Sequence, residues 1–137
     1  MNINRFTQKS VESINNSQKI AMDHGNQAIE QLHILYSLLD IEDSLIEKLL
    51  EKMEVPVEDF KRVLEEKINS LPKVSGGQQY FSQDANKVMM NAEDHAKAMG
   101  DEYVSVEHLF LALLKDGDKK IQELFKEFHI TKDGFLQ

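Results

Sequence analysis

The chain has no cysteine and no tryptophan, and only two prolines and six glycines among its 137 residues. Without cysteine there are no disulfides and no thiolate metal sites. The scarcity of helix breakers in a chain rich in Leu, Glu, Lys, Met, Ala and Ile favours helix throughout. Long apolar runs are also missing. Nothing approaches the ~20 consecutive apolar residues of a membrane span, and the N-terminus, MNINRFTQKS, lacks the apolar core of a signal peptide. A cytoplasmic protein with no membrane partner is expected. Basic residues are the minority, 16 against 24 acidic, for a net charge of −8. That balance argues against nucleic acid, which needs a basic stripe, and suits attraction of basic segments of a partner. The hydrophobic fraction of 41% is enough for a core.

What the chain does have is a repeat, the feature to seek first. Shifted by 75 residues it aligns with itself without gaps from Phe6 to Phe60. Phe6 meets Phe81, Gly25 meets Gly100, His33 meets His108, Leu38–Leu39 meet Leu113–Leu114 and Phe60 meets Phe135. Conservative pairs such as Ile14/Met89 and Ile29/Val104 fill the apolar stripes between them. Each unit parses alike. Thr7 and Ser82 are N-cap candidates. A helix of about four turns follows and ends near Gly25 or Gly100, where glycine supplies a left-handed C′ residue. The segments 33–39 and 108–114 are apolar nearly all round and are expected to be the central buried helices. Asp43 and Asp118 are expected to cap a third helix. A fourth follows Pro56, tolerated in a first turn, and stops before Pro72. Thr131 starts its counterpart, which is expected to be cut short, the natural polypeptide continuing beyond Gln137. The expected fold is all-α: two pseudo-symmetric four-helix repeats packed as one domain over 1–137. Repeat one covers 1–71, a linker 72–80 and repeat two 81–137. Gly76–Gly77 and the polar residues around them mark the linker as flexible.

Catalytic and metal signatures are scarce. The histidines form no i, i+4 pair, HExxH is absent, and no Asp/His/Ser set is brought together by the repeat. His33 and His108 are equivalent; one reading is a ligand pair, the other a helix-start imidazole bonded to the adjoining loop. A small helical enzyme or metal site on this pair stays as an alternative class. Runs such as Glu47, Glu51 and Glu54 read as solvated helix faces. Val88, Met89, Met90 and Ala92 crowd apolar groups together, so Met89, Met90 and the nearby Tyr80 are candidates for an exposed groove. Methionine suits a groove that accepts varied apolar segments. Burial in the core is the competing reading of all three.

The doubled pattern F-T/S-Q … G-x-x-x-I/V-x-x-x-H-x-L/F-x-x-L-L resembles the double Clp amino-terminal domain of the Clp/heat-shock ATPases over essentially the whole chain. The segments Ile29-Glu30-Gln31-Leu32-His33, Leu71 to Gly76 and Ser82-Gln83 most resemble the ClpB type of disaggregase. ClpC-type domains carry Thr-Glu-His in both copies, and their paired glutamates receive phosphorylated arginine. Here only Val106-Glu107-His108 keeps the glutamate, so the resemblance favours the ClpB type. It implies a mobile, non-catalytic domain on a hexameric ATPase ring that engages unfolded or aggregated polypeptides and passes them on. ATP and Mg would belong to ATPase modules outside these residues, and DnaK-type chaperones would also cooperate with the full-length protein; no cofactor is expected here. By position the family's binding surface falls on Thr7, Met89 (in place of a leucine) and Glu107, with Phe6 beside them. Met90 and Tyr80 are candidates on local grounds alone. The alternative is an adaptor- or substrate-docking domain of a ClpA/ClpC-type unfoldase partnered with a protease.

Overall fold

The computed structural model describes residues 3–137. A single 3-10 turn, Ile3–Arg5, leads into α1 (Gln8–Asp23), β1 (Ala28–Ile29), α2 (Gln31–Asp40), α3 (Leu45–Lys52) and α4 (Val57–Asn69). Repeat two supplies β2 (Tyr80–Phe81), α5 (Gln83–Ala98), α6 (Val106–Asp116), α7 (Lys119–Glu127) and α8 (Lys132–Leu136). Local signals account for most ends. The Thr7 and Ser82 hydroxyls accept from Ser10 N–H and Ala85 N–H, each satisfying an orphan donor of the first turn. Gly25 and Gly100 both have φ 73°, the left-handed conformation that ends a helix without a Cβ penalty.

The third helix departs from the repeat. Asp118 caps α7, accepting from Ile121 N–H. Asp43 does not cap α3; Ser44 does, accepting from Glu47 N–H, while Asp43 sits at φ 54°. A better-placed hydroxyl one residue on takes the cap, because Ser44 Oγ also donates to Leu38 O and so closes the preceding turn.

The two repeats interlock. β1 pairs with β2 in parallel, setting Ile29 beside Phe81, and an isolated parallel bridge sets Phe6 beside Val104. These are equivalent pairs under the 75-residue repeat, with the repeats exchanged. Thus Thr7 N–H donates to Val104 O at 2.9 Å and Ser82 N–H to Ile29 O at 3.0 Å. The start of each first helix is fastened to the other repeat.

One apolar core runs through both repeats. The central helices α2 and α6 pack on each other, each with its own first helix outside. Phe60 of repeat one stacks on Phe125 at 6.3 Å and meets Phe128 edge-on at 5.2 Å. The linker is not the loose tether that its glycines suggest. Val74 N–H donates to Gly25 O, Asn26 Nδ2 to Pro72 O and Lys73 Nζ to His24 O, all within 3.1 Å. Gln79 Nε2 reaches Gln18 O at 3.2 Å. The strap is thereby laid across the turn that follows α1. No helix among the described residues is long and apolar enough to cross a membrane.

Candidate functional site

The repeat histidines stand in the first turns of the central helices. Glu30 N–H donates to His33 Nδ1 at 2.8 Å, and Ser105 N–H to His108 Nδ1 at 2.9 Å. With Nδ1 accepting, the ring proton is on Nε2, which faces Asn26 Oδ1 at 2.9 Å in one copy and Asp101 Oδ2 at 2.8 Å in the other. Each imidazole joins the start of a central helix to the loop before it. The loop-bonded reading holds, and the two rings share no ligand. Burial, with His24 nearby adding to it, lowers the His33 pKa to about 4, so the ring is neutral at pH 7.

An Asp/His/Ser set does form, contrary to the sequence expectation. Ser105 Oγ lies 3.0 Å from His108 Nδ1, and Asp101 lies on the far side of the same ring. It is a capping arrangement. The Nδ1 lone pair is taken by Ser105 N–H, so it cannot draw a proton from the hydroxyl. Repeat one builds the same frame from Glu30, His33 and Asn26 with no hydroxyl at all. Among the described residues no group of three or more His, Asp or Glu is placed to hold a metal.

Two grooves lie at equivalent places where the repeats meet. One, of about 370 Å³, is lined by Thr7, Lys9, Ile41, Asp43, Leu45, Val106 and Glu107. Thr7 comes from the cap of α1 and Glu107 from the first turn of α6, so neither repeat forms this groove alone. The crossed bond Thr7 N–H to Val104 O holds the two together, and Ser10 Oγ donates to the same carbonyl at 2.9 Å. Ile41 and Val106 form an apolar floor, Leu45 is 40% exposed at the rim, and Glu107 stands exposed. Lys9 Nζ donates to Glu42 O at 2.9 Å.

The second groove, about 300 Å³, has Glu30, Leu32, Leu71, Asp84, Asp118, Lys119 and Lys120. Leu32 replaces Glu107, and Lys120 stands where the first groove has Leu45, with Lys119 beside it. Here the buried Gln31 spans the seam. Its Nε2 donates to Asp84 O at 2.9 Å and its Oε1 accepts from Asp118 N–H at 2.8 Å. In the first groove the equivalent residue is Val106.

A larger cleft of about 660 Å³ lies round Met99, Asp101, Tyr103, Leu111, Phe135 and Leu136. Its counterpart in repeat one is the turn His24–Asn26, which the strap Pro72–Val74 covers.

The six residues singled out from sequence therefore separate. Thr7 and Glu107 share the first groove. Phe6 is 6% exposed, held in the core beside Val104. Met89 is 1% exposed and is core, as its counterpart Ile14 is; it offers a ligand no surface. Its neighbour Met90, about 100° further round α5, is 60% exposed, and Tyr80 is 55% exposed, yet neither lines a seam groove. Sequence reading missed Ile41, Leu45 and Val106. The available signal was Gln31, a polar residue opening a helix that is otherwise apolar nearly all round.

Residues 5–128 match the family model described as the Clp repeat (R) N-terminal domain. The chain belongs to the Clp N-terminal repeat family. The ClpB chaperone of Bacillus anthracis is 36% identical over 143 aligned positions, covering 100% of this chain and 16% of the relative. That of Bacteroides thetaiotaomicron is 40% identical over 114 positions, covering 83% and 13%. The Clp domain here thus spans about a sixth of the first of these relatives, and it is homologous to the N-terminal region of ClpB chaperones. The crystal structure of the Hsp104 N-terminal domain from Candida albicans superposes with a TM-score of 0.84 at 25% identity, covering 95% of this chain and 85% of that one. The N-terminal domain of the ClpV1 ATPase from E. coli superposes at 0.82 with 14% identity, covering 98% and 83%, a likeness of fold.

Proposed function

We propose that this Clp domain is the substrate-engaging part of a ClpB-type disaggregase, and that the Thr7–Glu107 groove is where unfolded or aggregated polypeptide is held. The observation that carries the reading is the convergence of Thr7 and Glu107, from opposite repeats, on one groove with an apolar floor. A client's apolar side chain would bury against Ile41, Val106 and Leu45, while Glu107 and Asp43 would favour a neighbouring Lys or Arg. So small a contact leaves little surplus after the entropic cost of association, so binding by one domain is micromolar or weaker. A hexameric ring would multiply it through avidity. The ring, its ATP and Mg, and cooperation with DnaK-type chaperones would belong to the rest of such a protein.

The test is a fluorescence-anisotropy titration of a lysine-flanked leucine peptide at low salt. Glu107→Lys is expected to weaken binding by roughly fivefold or more, since it replaces attraction with repulsion. Equal affinity for wild type and Glu107→Lys would sink the groove as the client site. Met89→Asp is unsuitable here: it buries a charge in the core and reports on folding.

A further inference from the structure

The turns that end the two first helices, His24–Asn26 and Met99–Asp101, are one turn built twice. Gly25 and Gly100 both have φ 73°. Gly25 N–H donates to Met22 O and Gly100 N–H to Lys97 O, both at 3.0 Å, while Asn26 N–H and Asp101 N–H reach Ala21 O and Ala96 O, both at 2.8 Å. What lies over the two turns differs. The strap runs over Gly25: Lys73 Cβ and Cγ come to 3.7 Å from the point where a Cβ on that glycine would stand. Val74 N–H donates to Gly25 O and Lys73 Nζ to His24 O, both at 3.0 Å. The lysine thus sits at the C-terminal end of α1, where unpaired carbonyls and the helix dipole favour a cation. Over Gly100 there is open space, with no atom within 4 Å of the equivalent point. Among the described residues, Met99 O and Gly100 O accept no hydrogen bond. The cleft beside this turn is lined by Asp101, Glu102 and Glu107 and by no lysine or arginine, with Leu111 and the exposed Met99 and Tyr103 as its apolar wall. One contact of the strap has no counterpart: Asn26 donates to Pro72 O, whereas Asp101 supplies a carboxylate instead.

We propose that the turn Met99–Asp101 is a second client contact, which takes an extended stretch carrying a lysine or arginine followed by an apolar residue, as its twin takes Lys73 and Val74 of the strap. This rests on the reading of the Thr7–Glu107 groove as the client site and extends it. Ser105 and Glu107 line both the groove and the cleft, so one polypeptide passes from the first to the second along the same surface. The apolar part of a client enters the groove. Its basic part lies over Gly100, with the cation at the end of α5 and the next main-chain N–H on Gly100 O. The carboxylates around the turn add attraction for the cation. In repeat one the strap already holds the equivalent place, so His24–Asn26 takes no client.

The probe is a peptide with the sequence of residues 70–76, Ser-Leu-Pro-Lys-Val-Ser-Gly, blocked at both ends. Backbone amide shifts of the isotope-labelled wild-type domain report where it lies, so no variant has to fold. Gly100, Asp101, Tyr103 and Glu107 are expected to move, and Gly25, already under the strap, is expected to stay. So short a segment binds with a Kd on the order of 1 mM. Replacing its lysine by norleucine keeps the stem and removes the charge, and is expected to weaken binding about fivefold. N-methylation of its valine amide is expected to cost about as much. The inference is overturned by shifts absent at Gly100, by shifts at Gly25 as large as those at Gly100, or by either modified peptide binding as well as the probe. The lysine-flanked leucine peptide, titrated into the same domain, is expected to move Thr7 and Val106. If it moves neither, the client reading fails, and with it the role of the turn as a client contact. If it moves both while the probe leaves Gly100 unmoved, only this inference fails.

Discussion

His33 is the residue whose chemistry has the clearest consequence. Its ring is fully buried between Glu30 N–H and Asn26 Oδ1, and its pKa is lowered from 6.5 to about 4. Below pH 6.5 the unfolded chain therefore takes up a proton that the folded chain refuses. Stability is expected to fall as pH drops from 6.5 and to flatten in this contribution near pH 4, where the folded ring also protonates. The whole span is worth on the order of 3 kcal/mol. Urea denaturation at pH 7, 5.5 and 4.5 measures it. His33→Ala should remove that part of the slope while losing roughly 2 kcal/mol at pH 7, because a backbone N–H and the Asn26 carbonyl lose their partner. A pH dependence unchanged in His33→Ala would refute the assignment. At this scale the sequence was only half legible. Equivalent histidines at helix starts are visible as letters, but the Asn26 and Asp101 that orient them lie seven residues upstream, beyond any short motif. Adjacent Met89 and Met90 have the same chemistry and opposite fates, which only the orientation of α5 decides.

Among the elements, α3 carries the sharpest departure from the repeat. Asp118→Ala at the α7 cap is expected to destabilise the domain by about 1 kcal/mol. Repeat equivalence assigns the same loss to Asp43→Ala, whereas the geometry assigns it to Ser44→Ala, whose hydroxyl serves both Glu47 N–H and Leu38 O. Asp43 itself occupies a left-handed conformation that favours glycine, so Asp43→Gly should be stabilising by roughly 0.5–1 kcal/mol. Thermal melts of the three variants separate the two accounts: a loss in Asp43→Gly would return the cap to Asp43. Helix existence, order and most ends followed from capping residues and apolar period, both of which act within a few residues. The strap was not legible, since its bonds join it to a turn some fifty residues away, Lys73 Nζ to His24 O and Asn26 Nδ2 to Pro72 O, which composition does not encode. The seam grooves were hidden for the same reason: Ile41, Leu45 and Val106 become one surface only when the repeats meet.

For the whole molecule, the shared core implies cooperative loss. Phe60 touches Phe125 and Phe128 of the other repeat, so Phe60→Ala should cost about 3–5 kcal/mol and lower protection in both repeats together. Calorimetry should show one transition, with calorimetric and van't Hoff enthalpies equal. Two resolved transitions would mean two independent lobes. The duplication itself was plainly readable, because twelve identities at one constant offset need no structure. That the copies exchange the segments leading into their first helices was not, since the alignment is the same whether each unit closes on itself or on its twin.

That exchange sets a schedule for synthesis. The hydroxyl of Ser10 and the amide of Thr7 both wait for Val104, a carbonyl 94 residues beyond Ser10. At ribosomal speed of about 5–20 residues per second, the start of α1 stays unfastened for roughly 5 to 20 s after it emerges. During that interval Phe6 and Ile41 lack the partners that repeat two supplies, so the nascent chain passes through a stage in which a chaperone relative is itself a candidate for chaperone protection.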